Sequence, residues 1–175
     1  MKKNKKNFSG LLSLFFVFCI LYFIVSCHTY SFTGASISPD IKSVSIQFFP
    51  NRASIVQPAL SNAFTEKLKD KFVSETNLTL IKEKGDLSFE GNIIDYNVQP
   101  TAIQGDENAA LNRLTITVSV KFANAKDPKH DFENNFSRYA DYDSKKSLTE
   151  VEKELIVQIN QQLVDDIFNK AVVNW

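Results

Sequence analysis

Histidine and cysteine are scarce in this chain, with two of each among 175 residues. His28 and His130 are far apart in sequence, and neither has a second ligand at zinc spacing. Glycine is also sparse, at five residues. None of the five sits in a G-x-G-x-x-G, G-x-x-x-x-G-K-[ST] or G-x-S-x-G pattern, which removes the usual phosphate cradles and the nucleophile elbow. There is no charge surplus, since 20 Lys and Arg balance 20 Asp and Glu. A nucleic-acid binder needs a basic footprint, and this chain lacks one. No apolar run reaches the ~17–25 residues of a membrane-spanning helix. No catalytic group, cofactor or metal is therefore expected.

What is present begins at the N-terminus. Lys2, Lys3, Lys5 and Lys6 precede the apolar run Leu11–Val25, which stops at Ser26 and Cys27. A charged start, a short apolar stretch and a small residue at the cut read as a secretory signal. Ile24-Val25-Ser26-Cys27 resembles a bacterial lipobox, which places cleavage between Ser26 and Cys27 and lipid on the Cys27 sulfur. The expected organisation is a removed signal peptide (1–26), a lipidated tether (27–41) and a single domain (42–175). One acyl chain is a weak anchor and several are durable; the lipobox resemblance implies several, palmitate among them. Cys19 leaves with the signal, so the exported domain has neither a free thiol nor a disulfide despite its oxidising surroundings. Losing four lysines from a balanced 20 against 20 leaves a net charge of about −4. The tether has no acidic residue before Asp40, which favours a periplasm-facing anchor over surface export.

The domain reads as alternating elements. Val44, Ile46 and Phe48 alternate with Ser43, Ser45 and Gln47, a half-buried strand over 42–49. Pro58 suits a first helical turn. Leu60, Phe64, Leu68 and Phe72 follow at four-residue spacing with Ala63 beside them, giving an amphipathic helix. A short strand is expected at 78–81. A longer one is expected at 87–98, where an apolar phase shift calls for a bulge near Gly91 and Asn92. Thr101–Asn112 reads as a polar loop. Leu114, Ile116, Val118, Val120 and Phe122 alternate cleanly with polar residues. Residues 131–139, with Phe132 and Phe136 on one side, suit an edge strand. Ser147 and Glu150 form a capping box for a last helix running nearly to Trp175. The order β-α-β-β-β-β-α gives an α+β fold, a two-layer sandwich with two helices on one face of a four- to five-stranded mixed sheet. The other face is expected to be polar and uncovered.

Other polar residues carry little chemistry. Asp165 and Asp166 fall on the polar side of the last helix, and Asp106 and Glu107 in the polar loop, so both pairs read as solvated. The Asn77 and Asn135 triplets match a glycosylation pattern that the bacterial-style signal makes irrelevant.

Five segments in order carry a family resemblance: Tyr30–Ile37 (YSFTGASI), Ile46–Arg52 (IQFFPNR), Gly85–Gly91 (GDLSFEG), Asn112–Val118 (NRLTITV) and Asp166–Lys170 (DIFNK). Behind a lipobox cysteine, this series is similar to LptE, the outer-membrane lipopolysaccharide-assembly lipoprotein family. The resemblance implies a non-catalytic, lipid-anchored outer-membrane protein. It implies a partner, the LptD β-barrel, which LptE proteins plug and help assemble, and lipopolysaccharide as cargo and ligand. Arg113, beside Asn112 at the mouth of the polar loop, is the candidate ligand-binding residue, because a guanidinium suits phosphate. A structural pair for Arg113 is the competing reading, and Lys82, Lys84, Lys145 and Lys146 are secondary candidates. The alternative function is an accessory scaffold for general barrel assembly or for a secretin.

Overall fold

The first strand shows how the alternation folds. Val44 and Ile46 of β1 (Ser43–Ile46) turn inward, while Ser43 and Ser45 point to the other face. The ladder stops four residues after it starts, although the alternation predicts a strand to 49. Pro50 has no N–H to continue it, and Phe49 swings fully into the core with its N–H donating to Thr65 Oγ1 at 3.1 Å. This computed structural model describes residues 37–101 and 110–172. The described residues all fall within one unit of the chain, Thr33–Trp175. Ser26, Cys27, Asp106, Glu107 and residues 173–175, where the last helix was expected to end, lie outside the described residues.

Helix α1 (Pro58–Glu75) opens with proline, and Gln57 caps it by accepting from the Ala59 N–H at 2.6 Å. Leu60, Phe64, Leu68 and Phe72 are all fully buried. Ala63, expected beside them, is exposed; Ser61 and Thr65 occupy the buried flank instead. The helix is thus rotated slightly from its expected facing, and the Thr65 hydroxyl is drawn in to satisfy the Phe49 N–H.

Strand β2 (Thr79–Leu80) has only two residues. Strand β3 (Leu87–Thr101) pairs antiparallel with β4 (Leu111–Asn124), which pairs antiparallel with β5 (Phe132–Asp143). The sheet order is β2-β1-β3-β4-β5, with β1 parallel to both neighbours. The expected polar loop is shorter than predicted, because Thr101, Leu111 and Asn112 belong to strands. The bulge also moves. It falls at Ile94, between Ile93 and Asp95, since Ile93 and Tyr96 both face inward three residues apart. Gly91 has a different task. A Cβ there would meet the Ser119 carbonyl oxygen at 2.0 Å and the Phe49 ring at 2.6 Å, so only glycine lets the ring lie against the sheet.

Helix α2 (Leu148–Val172) starts where the capping box predicts, with the Ser147 N–H donating to Glu150 Oε2 at 2.8 Å. Both helices lie on one face. A chain of rings joins the layers: Phe168 of α2 to Phe72 of α1 at 5.0 Å, Phe72 to Phe89 at 4.8 Å, Phe89 to Phe122 at 4.9 Å and Phe122 to Phe132 at 5.1 Å. Tilted and edge-on rings at these spacings are favourable beyond their area. The α+β sandwich and its β-α-β-β-β-β-α order are those read from the sequence, with five strands.

Candidate partner-binding surface

The second face of the sheet is where polar chemistry gathers. Cross-strand register aligns β3, β4 and β5 into rows: Glu90–Lys121–Glu133, Asn92–Ser119–Asn135, Asp95–Thr117–Ser137, Asn97–Thr115–Tyr139 and Gln99–Arg113–Asp141. Every position in these rows is polar, and all remain half-buried or exposed. Two-residue periodicity forces this, because burying the apolar set against the helices turns the alternate set outward. The face is not open everywhere, however. At β1 a turn folds over it. The Gly85 N–H donates to Ser45 Oγ at 3.2 Å, and the Ser43 hydroxyl donates to Asp86 at 2.9 Å. The Lys42 N–H and the Ser43 hydroxyl hold the Asp86 carboxyl down to about 2.

Arg113 stands one row short of the end of the face, which closes on Thr101–Leu111–Asp143. Its Nε and Nη2 donate to Asp141 at 2.7 and 2.8 Å, and its guanidinium lies 3.6 Å from the centre of the Tyr139 ring. That fork holds the Asp141 carboxyl below the usual carboxylate range. The remaining guanidinium N–H groups, on Nη1 and Nη2, are the ones left for an anion. Tyr139 and Asp141 were not singled out from the sequence. Their two-residue spacing opposite Thr115 and Arg113 was the available signal, but the strand had been expected to end at 139.

Asp165 and Asp166 are not a pair and not idle. Asp165 accepts from Lys71 Nζ at 2.6 Å, joining the two helices. Burial pushes its carboxyl up, but hydrogen bonds from Gln161 and Lys71 outweigh that and hold it down. Asp166 accepts from Arg138 Nε and Nη2 at 2.5 and 2.7 Å, joining α2 to β5. His130 Nδ1 lies 3.2 Å from Asp127 Oδ2 in the β4–β5 turn. Lys82 and Lys84, and separately Lys145 and Lys146, are exposed in turns. Among the described residues no three His, Cys, Asp or Glu side chains are grouped to hold a metal.

Beside the Glu90–Lys121–Glu133 row, the segment after β1 forms the wall of a shallow groove of about 410 Å³. Phe48 on that wall is 58% exposed. A face this polar, with Phe48 at its edge and Tyr139 within it as exposed aromatics, suits contact with a wet protein surface rather than with lipid tails.

No curated protein matches the chain in sequence. Among solved structures, a hypothetical protein of Chlamydia trachomatis is similar, with TM-score 0.50, 12% identity, and coverage of 77% of this chain and 98% of that one. A minor lipoprotein of Acinetobacter baumannii gives TM-score 0.47 and 15% identity over 75% and 96% of the two chains. A rare lipoprotein B of Shewanella oneidensis gives 0.41 and 15% over 71% and 93%. Residues 41–171, nearly the whole of the folded domain, match the lipopolysaccharide-assembly family, and the chain belongs to LptE.

Proposed function

We propose that the protein is a non-catalytic lipoprotein of the outer membrane that plugs and helps assemble an LptD-type β-barrel during lipopolysaccharide export. The observation that carries this reading, given the family, is the predominantly polar face of β3, β4 and β5, where Leu111 is the apolar exception among the paired rows. A barrel lumen is lined by polar side chains, so a plug must present polar groups to it. The acyl chains proposed at Cys27, after cleavage at Ser26, hold the domain at the periplasmic face of the membrane and raise its effective concentration near the barrel. Lipopolysaccharide contact, if made by the domain itself, is assigned to Arg113.

Depletion of the protein in its native cell tests this reading. Lipopolysaccharide should accumulate in the periplasm while other barrels insert normally. Normal surface lipopolysaccharide on depletion sinks the proposal, and broad barrel-folding defects would favour a general assembly scaffold.

A further inference from the structure

Phe48 is held outward by its neighbours. The Gln47 N–H donates to the Phe89 carbonyl at 2.9 Å, which fixes the chain against β3. The Phe49 ring lies against Gly91 in the core, and its N–H is taken by Thr65. Pro50 follows, and its ring restricts the backbone on both sides. The exposed Phe48 ring is therefore carried on constrained backbone, so covering it costs little further ordering. Among the described residues no other ring touches it, whereas Tyr139, the other exposed aromatic of this face, already carries the Arg113 guanidinium.

The polar side chains of the face divide in the same way. Toward Arg113 they are paired with one another, Arg113 with Asp141 and Thr117 with Ser137, hydroxyl to hydroxyl at 3.0 Å. Around Phe48 they are not. Gln47, Arg52, Glu90, Lys121 and Glu133 line the groove, and among the described residues none of these side chains makes a hydrogen bond or an ion pair. Lys121 stands between Glu90 and Glu133 in register without closing on either. Groups already satisfied within the face gain little from a partner, because each new bond replaces an old one. Unsatisfied groups around an apolar ring have the anatomy of an interface core with its polar rim.

We propose that Phe48 and the unpaired side chains around it anchor this face to the lumen wall of the barrel, at a polar stretch with a basic surplus. The choice of the barrel rests on the function proposed above. Charge argues against the other occupants. In the rows of the face, Glu90, Asp95, Glu133, Asp141 and Asp143 stand against Lys121 and Arg113, and Arg52 beside the groove still leaves an acidic surplus. Two copies of this chain joined face to face would set one acidic surface on another. Within the groove Arg52 and Lys121 are balanced by Glu90 and Glu133, so a phosphate finds no net attraction there. A wall carrying basic residues meets its complement.

The test uses the full-length lipoprotein, tagged, expressed beside the untagged protein and recovered from gently solubilised outer membranes. Phe48→Ala should lower the barrel recovered per lipoprotein by about tenfold or more. Glu133→Lys, which removes part of the acidic surplus, should lower it in the same direction. Val157→Glu is the control, because Val157 is 61% exposed on α2, in the other layer; its recovery should stay within about twofold of the unaltered protein. All three variants should melt with the unaltered protein, since each replaced side chain is exposed. Photoreactive benzoylphenylalanine in place of Phe48 keeps a ring at the site and should give adducts to the barrel. Full recovery with Phe48→Ala or Glu133→Lys, an equal loss with Val157→Glu, adducts to a second copy or no adduct would overturn the proposal. A barrel recovered alike by the unaltered protein and by Phe48→Ala removes this inference and leaves the plug reading standing. No barrel with the unaltered protein removes both.

Discussion

The Tyr96 hydroxyl donates to Glu152 Oε1 at 2.5 Å, and the other oxygen of that carboxylate accepts from Gln57 Nε2 at 3.1 Å. One carboxylate thus ties the middle of β3 and the N-terminus of α1 to the first turns of α2. Burial, then the neighbouring Glu152, push the Tyr96 phenol well above its usual range, so it remains a donor at every ordinary pH. Tyr96→Phe keeps the ring and deletes the bond to a charged acceptor, which should cost about 1–3 kcal/mol. Urea unfolding reads this as a lowered midpoint at constant slope. An unchanged midpoint would show that the junction contributes nothing to stability.

Gly91 should tolerate no side chain. An alanine Cβ would lie 2.0 Å from the Ser119 carbonyl, which is backbone and cannot step aside. Gly91→Ala should destabilise the domain by about 3 kcal/mol or more through strain and a displaced Phe49. Asn92→Ala, next in the strand and on the open face, should change stability by less than about 0.5 kcal/mol. Thermal melts of the two variants separate the effects, and equal melting temperatures would contradict the packing described at Gly91.

Much of this architecture was legible in the sequence, and its misses are specific. The strand periods, the Leu60–Phe72 spacing and the Ser147–Glu150 cap are local signals, and each produced its element. The bulge was assigned to Gly91 because glycine commonly marks one. Its position is instead set by which two apolar residues, Ile93 and Tyr96, must both reach the core. The ends of β5 were misjudged because Ala140 and Tyr142 look unremarkable until β4 is placed opposite them. A pair for Arg113 was legible but its partner Asp141 was not, and the pairings of Arg138, Asp165 and Asp166 were illegible, for the same reason. Each joins residues distant in sequence, and no spacing rule encodes a cross-strand or strand–helix neighbour.

Asp86 makes part of the stability depend on pH. Its carboxyl is held at about 2 by hydrogen bonds from the Lys42 N–H and the Ser43 hydroxyl, against an ordinary 3.8. The folded value lies below the unfolded one, so its stabilisation is complete above about pH 4 and is lost as pH falls from about 4 to about 2. Asp86→Asn should lower stability at neutral pH and flatten the acid limb in that window. Chemical denaturation at a series of pH values gives the comparison, and parallel pH profiles for the two proteins would contradict it.

Arg113 separates binding from folding. Its pair with Asp141 is half exposed, so Arg113→Ala should change stability by no more than about 1 kcal/mol. Losing a charge-assisted contact to phosphate should weaken lipopolysaccharide binding by about tenfold or more. Arg113→Lys should recover only part of it, because an ammonium lacks the fork. Titration with purified lipopolysaccharide reads both variants, and wild-type affinity in Arg113→Ala would withdraw the assignment.

The most direct measurement is affinity purification of the full-length lipoprotein from gently solubilised outer membranes, with its partners identified by mass spectrometry. A plug for an export barrel should bring down one large β-barrel protein in near one-to-one amount. Recovery alone, or with general barrel-assembly components only, would contradict the proposed function and leave the fold unchanged.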